Sequence, residues 1–239
     1  MTSREMHLDF KMKLNKIDSQ KYRNLFVPEI DWKLNEAQEV FVRMIAEPRN
    51  NQNQGFEFNQ RSIDDLRTIV INQSIDSSTS LTKFDDTSYI APLPDDYWYK
   101  LGVKVFATKN NCQTIDLSNV FYVRHDENNL NTFNLPSFEW RQVNIRFLKE
   151  GIRVFTDGTF IIDRVVLNYI KKLRKIHNAQ DAKNGQYKDL GTGVILTGSQ
   201  DCELPEGTHR NIVDLAVLIT TGELQIPDYQ IKQQKLNLN

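Results

Sequence analysis

The hydrophobic period of this chain changes twice, and that constrains its fold more than any other feature. Before about residue 84, apolar residues recur every three or four positions, the spacing of one face of an α-helix. From there to about residue 176 they alternate with period two, the spacing of a half-buried strand. After Pro205 the helical period returns. A chain of 239 residues that reads helix, strand, helix predicts an α+β fold. The helices of both ends form a helical domain (1–84 plus 203–239) with an antiparallel β region (85–202) inserted between them.

In the first part Met6, Phe10, Leu14 and Ile17 make one helical stripe. Pro28 breaks the chain, and Asp31 is an N-cap for a second helix. Its core face is Ala37, Val40, Phe41, Met44 and Ile45, and Pro48 stops it. RNNQNQ (49–54) is a polar loop. A third helix starts near Gln60, with Ile63, Leu66, Ile69 and Val70 on one side. The Ser/Thr/Asp-rich run QSIDSSTSLTKFDDTS (73–88) reads as a connector and domain boundary.

The middle part is β-branched and aromatic. YWYKLGVKVFATK (97–109) and NVFYVRH (119–125) read as strands, with NNC a turn between them. In RQVNIRFLKEGIRVFTDGTFIIDRVVLNYIKK (141–172), Lys149-Glu150-Gly151 and Asp157-Gly158 mark turns, and Asp-Gly between apolar runs signals a hairpin. Residues 177–203 read as loop, with one short strand at Val194 to Leu196. In the last helix Ile212, Leu215, Ala216 and Ile219 form one face. Val213, Val217 and Leu218 make it apolar most of the way round, so it is expected in a core. Pro205 suits its first turn, Glu203 and Glu206 complement its dipole, and Gly222 suits its C-cap.

The balance of 30 Lys+Arg against 31 Asp+Glu leaves a net charge of −1, which directs the chain to neither nucleic acid nor acidic lipid. Asn and Gln number 22 and 15 against only 10 Gly, a lean toward polar protein–protein surfaces over a Gly-rich active site. Cys112 and Cys202 lie in no metal-binding pattern and read as free thiols in a reducing compartment. The charged N-terminus is unlike a secretory signal, and no apolar run approaches the roughly 20 residues of a membrane span. These readings predict a soluble, cytoplasmic product, without cofactor, metal or membrane.

Enzyme signatures are missing: the sequence holds no GxSxG, GxxxxGK[ST] or HExxH. LGTGVILTGS (190–199) lacks the third glycine of a dinucleotide loop. His125-Asp126-Glu127 is expected in an exposed turn. His7, His177 and His209 are scattered. Tyr97, Trp98 and Tyr99 could form a stacking platform, but strands need such residues regardless. Charge is segregated. Arg164, Lys171, Lys172, Arg174 and Lys175 fall in one 12-residue stretch without an acid. From Asp201 to Asp228 there are six acids, among them Glu203, Glu206, Asp214, Glu223 and Asp228, and one base, Arg210. The two segments are either a solvated dipole or complementary subunit-interface faces.

The order of FVPEIDWKLNEAQEVFV, FEFNQRSIDDLR, APLPDDYWYKLGVKV, PSFEW, VVLNYIKK and ELPEGTHRNIVDLAVLIT resembles the ring proteins of crAss-like phages, across roughly 10–50 and 56–230. The resemblance implies a non-enzymatic virion protein, an adaptor or collar ring of the head–tail connector. It implies a closed, twelvefold ring as the self-partner, the portal and other ring or tail proteins as neighbours, and double-stranded DNA as passing cargo. The rival expectation is a tail-associated module that binds carbohydrate or protein through Tyr97, Trp98 and Tyr99.

Overall fold

In the computed structural model, which describes residues 1–15, 25–46, 64–76, 78, 80–109, 112–123, 135–189 and 191–223, helices stand toward both ends of the chain with strands between them. The third helix expected from Gln60 through Val70 does not form as read, since 67–69 are a turn and Val70 opens a strand. The fold is mixed α+β, with strands the more numerous elements. The chain divides into two units, residues 1–69 with 173–239, and Val70–Lys172.

In the first unit, α1 (Ser3–Asn15) buries Met6, Phe10 and Leu14, the stripe expected of it. Ile17 lies outside the described residues. Helix α2 spans Val27–Ala46. Pro28 does not break it but sits in its first turn, where its missing N–H costs nothing. Glu29 reaches back to accept the N–H of Phe26 at 2.8 Å, half of a capping box. Asp31 is therefore inside the helix and buried, not its cap. The core face also differs from the expected one. Ile30, Leu34, Ala37 and Val42 are buried together with Asp31 and Gln38, while Val40 and Phe41 are half-buried and Met44 is exposed. The expected face was drawn through apolar residues alone, and the true one includes two polar side chains.

Helix α3 (His209–Glu223), entered through Pro205 and a 3-10 turn at Glu206–Thr208, buries Ile212, Val213, Leu215, Ala216 and Val217. It runs through Gly222, which is thus within the helix. Lys13 of α1 pairs with Asp214 at 2.7 Å, and Lys33 of α2 pairs with Glu223, tying both helices to α3. Residues 177–203 are more than loop. They hold β-strands at His177–Asn178, Gln186–Lys188, Ile195–Thr197 and Ser199–Gln200, paired first with fourth and second with third.

The second unit is two sheets around one core. We number its strands β1 (Val70–Asp76), β2 (Thr82–Asp85), β3 (Ser88–Ala91), β4 (Tyr97–Thr108), β5 (Ile115–Leu117), β6 (Asn119–Tyr122), β7 (Gln142–Leu148), β8 (Gly151–Phe155) and β9 (Ile161–Lys171). One sheet has the order β1-β9-β4-β5 and the other β2-β3-β8-β7-β6. Val103 and Val105 of β4, Val165 and Leu167 of β9, Val143 and Ile145 of β7, and Ile152 and Val154 of β8 meet in that core. Core residues alternate along β4 (Val103, Val105, Ala107), β7 (Val143, Ile145) and β8 (Ile152, Val154), as a sheet with one buried face requires.

Three expectations change here. The connector at 73–88 is largely sheet, because Val70–Asp76 pairs along its whole length with β9, from Val70 opposite Ile170 to Asp76 opposite Arg164. The β region is not purely antiparallel. β6 runs parallel to β7, and the stretch between them is long enough for the crossover a parallel pair needs. Asp157-Gly158 is not a hairpin. It carries the chain from β8 in one sheet to β9 in the other, with Gly158 at φ +79° and Asp157 accepting the Thr159 N–H at 2.8 Å. The Lys149–Gly151 turn does join a hairpin, β7 to β8. Gly151 is required there, since a Cβ would lie 2.3 Å from the Ala91 carbonyl oxygen.

Tyr169 of β9 points its ring into the core and donates its hydroxyl to Asp96 at 2.9 Å. Burial, and then the Asp96 carboxylate, push this phenol up to about 12 from an ordinary value of 10.0. The folded pKa is the raised one. Its contribution to stability is therefore full below pH 10, where both states are protonated, and is lost as pH rises from 10 through about 12. Thermal melts across that window should show a steeper alkaline fall in wild type than in Tyr169→Phe. Parallel curves would mean that the hydroxyl ionises normally.

Candidate functional site

The polar side chains of α2 explain why it buries them. Asp31, Asn35 and Gln38 lie on one face, and each bonds the backbone of the segment 174–178. Gln38 Nε2 donates to Arg174 O at 3.2 Å. Asn35 both donates to Ile176 O and accepts from Ile176 N, each at 2.8 Å. Asp31 Oδ2 accepts from Asn178 N at 3.1 Å. From Asp31 to Asn35 four helix residues rise about 6 Å, close to the roughly 6.6 Å from Asn178 to Ile176, while the three from Asn35 to Gln38 rise only about 4.5 Å. Helix α2 pairs with this extended segment as a neighbouring strand would.

Asp31 is the node. Besides Asn178 it accepts the Tyr187 hydroxyl at 2.6 Å, and its other oxygen accepts the Nε2–H of His7 at 2.6 Å. A carboxylate 2% exposed is tolerable because donors from three separate segments converge on it. Burial, and next the Asp31 charge, hold the Tyr187 phenol well above its ordinary range. Nearby, the Cys202 thiol donates to Gln38 Oε1, and burial pushes it up to about 11. Both cysteines are free thiols, with Cys112 exposed.

Beside this clasp is a cleft of about 340 Å³. Pro28, Trp32, Tyr187 and Leu196 give it apolar walls, and Glu36, Glu39, Lys175 and Asp189 give it charge. The Trp32 ring, 46% exposed, needs the space that Gly191 leaves, since a Cβ at Gly191 would lie 3.2 Å from Trp32 Cζ3. The Thr192 hydroxyl, and then the Lys175 ammonium at 2.9 Å, hold Asp189 well below the usual carboxylate range. Sequence reasoning missed this cleft because its residues are spread over 28–39 and 175–196 and share no motif.

Most of the segregated charges find partners within the chain. Arg174 meets Glu203 at 3.0 Å, which joins the basic run to the acidic segment at one point. Lys175 pairs with Asp189, Asp214 with Lys13, Glu223 with Lys33, and Glu206 with the Met1 amine at 2.9 Å. Exposed Arg164 stacks its guanidinium 4.1 Å from the Phe106 ring centroid. Lys172 donates to Asp95 O at 3.3 Å, and Lys171 is half-buried at the end of β9. Asp228 and His125-Asp126-Glu127 lie outside the described residues.

The aromatic triplet is not an open platform. Tyr97 packs against Phe147 and Tyr169, Trp98 lies 4.9 Å from Tyr99, and all three are half-buried. Among the described large hydrophobic residues Trp140 is the most exposed, at 78%, on a turn before β7. Arg141 at φ 50°, and Asn119 donating to Trp140 O at 3.1 Å, fix that turn.

A family model described as phage tail ring protein 3/4 matches residues 1–224. No curated protein matches the chain.

Truncating Asp31 would strand His7, Tyr187 and the Asn178 amide in a buried site. Asp31→Ala should therefore cost several kcal/mol, since each buried donor left without an acceptor costs about 1–3 kcal/mol. Glu39→Ala, exposed on the same helix, should stay within about 0.5 kcal/mol. Denaturant unfolding followed by Trp32 fluorescence, in a variant with Trp98 and Trp140 replaced by Phe, makes the comparison. Equal small losses would show that the clasp does not hold this unit together.

Proposed function

Because the chain belongs to the phage tail ring protein 3/4 family, we propose that its ring forms part of the head–tail connector beneath the portal and of the channel through which the genome passes. A tail ring protein is a structural component of the virion, and assembly with copies of itself and with other tail proteins is its role. The observation that carries the reading is the extent of the family match, which reaches from residue 1 through the end of α3. In this reading the helices of both ends form one helical domain, the strand-rich middle is an insertion in it, and the chain has no catalytic duty.

Twelve copies are proposed, matching the portal. A ring closed by rotation needs two different, complementary surfaces on each subunit. We assign them to the basic run Arg164–Lys175 and the acidic segment 201–228 of the next copy. The acids' partners within the chain are mostly partly exposed ion pairs of about 0–1 kcal/mol each, so exchanging them across a boundary costs little. The near-neutral total charge suits a DNA channel, since a strongly basic bore would hold phosphates and slow transit.

Native mass spectrometry of the protein, alone and with the cognate portal protein, tests the assignment. The expected result is one closed oligomer that binds the portal and dissociates as salt rises from about 0.1 to 1 M, where the Debye length falls from about 10 to about 3 Å. Lys171→Glu with Lys172→Glu should dissociate that oligomer at a lower salt concentration than wild type while the chain still folds, as circular dichroism would show. A monomer at all salt concentrations that ignores the portal would overturn the reading.

A further inference from the structure

The cleft beside the clasp is apolar in its walls, and its edge carries exposed Glu39 and half-buried Glu36. These two are held only by partly exposed ion pairs with Arg43 at 3.5 Å and Lys33 at 3.0 Å, while Asp31 is buried in the clasp and Asp189 is paired with Lys175. Such a surface fits an extended peptide that carries apolar side chains and lysines. The sequence contains one. Residues 229–239, YQIKQQKLNLN, place Tyr229, Ile231 and Leu236 around Lys232 and Lys235 and hold no acid.

The point at which that segment begins supports the match. Helix α3 ends at Glu223, and Lys33 bonds both Glu223 and Glu36, the second at 3.0 Å. The start of 224–239 is therefore one salt bridge away from the cleft wall. Sixteen residues span at most roughly 55 Å when fully extended. Pro227 favours extended backbone at Ile226. A tail and a cleft are also different surfaces, as a ring contact requires.

We propose that residues 224–239 of one subunit lie in the cleft walled by Trp32, Glu36, Glu39 and Tyr187 of the neighbouring subunit, with Lys232 and Lys235 at its acidic edge. The inference rests on the ring reading and names one of its contacts. Trp32 and Tyr187 are the flat aromatic surfaces on which the tail's apolar side chains pack. The glutamates set direction and register.

The test uses full-length chains in a Cys112→Ser, Cys202→Ser background. One preparation carries Ile231→Cys and a second carries Glu39→Cys, so that when the two are mixed only a contact between molecules can give the mixed disulfide. Light scattering of the same mixture reports assembly. The expected result is a covalent dimer of the two variants, reduced about tenfold in yield by Lys232→Glu with Lys235→Glu, a change of about 1.4 kcal/mol. Rings without this disulfide would overturn the tail contact and leave the ring reading standing. So would a chain carrying both cysteines that closes only on itself, which would assign the cleft to its own tail. Absence of any oligomer would count against the ring reading itself.

Discussion

The pairing of one face of α2 with the backbone of residues 174–178 is the interaction on which the first unit depends. A single extended segment beside a helix has no natural partner for its N–H and C=O groups, and leaving them unpaired in a core is costly. Asp31, Asn35 and Gln38 supply what a second strand would supply. The carboxylate adds His7 of α1 and Tyr187, so one buried anion gathers α1, α2 and both ends of the 177–188 stretch. With that stretch fixed, Tyr187 and Gly191 take their places opposite Trp32, and the cleft exists.

The second unit is organised differently, and this bears on its use. Its two sheets share a core of β-branched and aliphatic side chains, and its aromatic residues are divided between that core and a few exposed positions. Trp140 stands out on a turn held by Asn119 and by strained backbone at Arg141. A rigidly presented indole suits a protein contact better than an open sugar platform, whose stacking faces the Tyr97–Tyr99 triplet does not offer. Both units thus carry shaped, polar-edged surfaces, as a structural ring protein needs.

How much of this was legible depended on whether apolar spacing carried the information. The α1 stripe and the apolar last helix were visible because their faces are apolar. The face of α2 was misdrawn because Asp31 and Gln38, which look like surface residues, are buried by what they bond. Asp31 beside Pro28 imitates an N-cap, and only the tertiary partners His7, Tyr187 and Asn178 reveal its place. Asp157-Gly158 imitates a hairpin, since a turn has the same local chemistry whether the next strand returns to the same sheet or crosses to another. β1 was hidden in a Ser/Asp-rich stretch because its partner β9 lies about ninety residues onward. The acidic segment was visible as charge, but its partners on α1 and α2 were not, nor was a cleft assembled from two distant stretches.

The central claim is that this chain closes on itself as a ring, and electron microscopy of the purified full-length protein at high concentration tests it most directly. The account predicts annular particles of one size with a central opening, wide enough for duplex DNA, and with every subunit in the same head-to-tail contact. Isolated globular particles at every concentration, or open filaments of indefinite length, would contradict it.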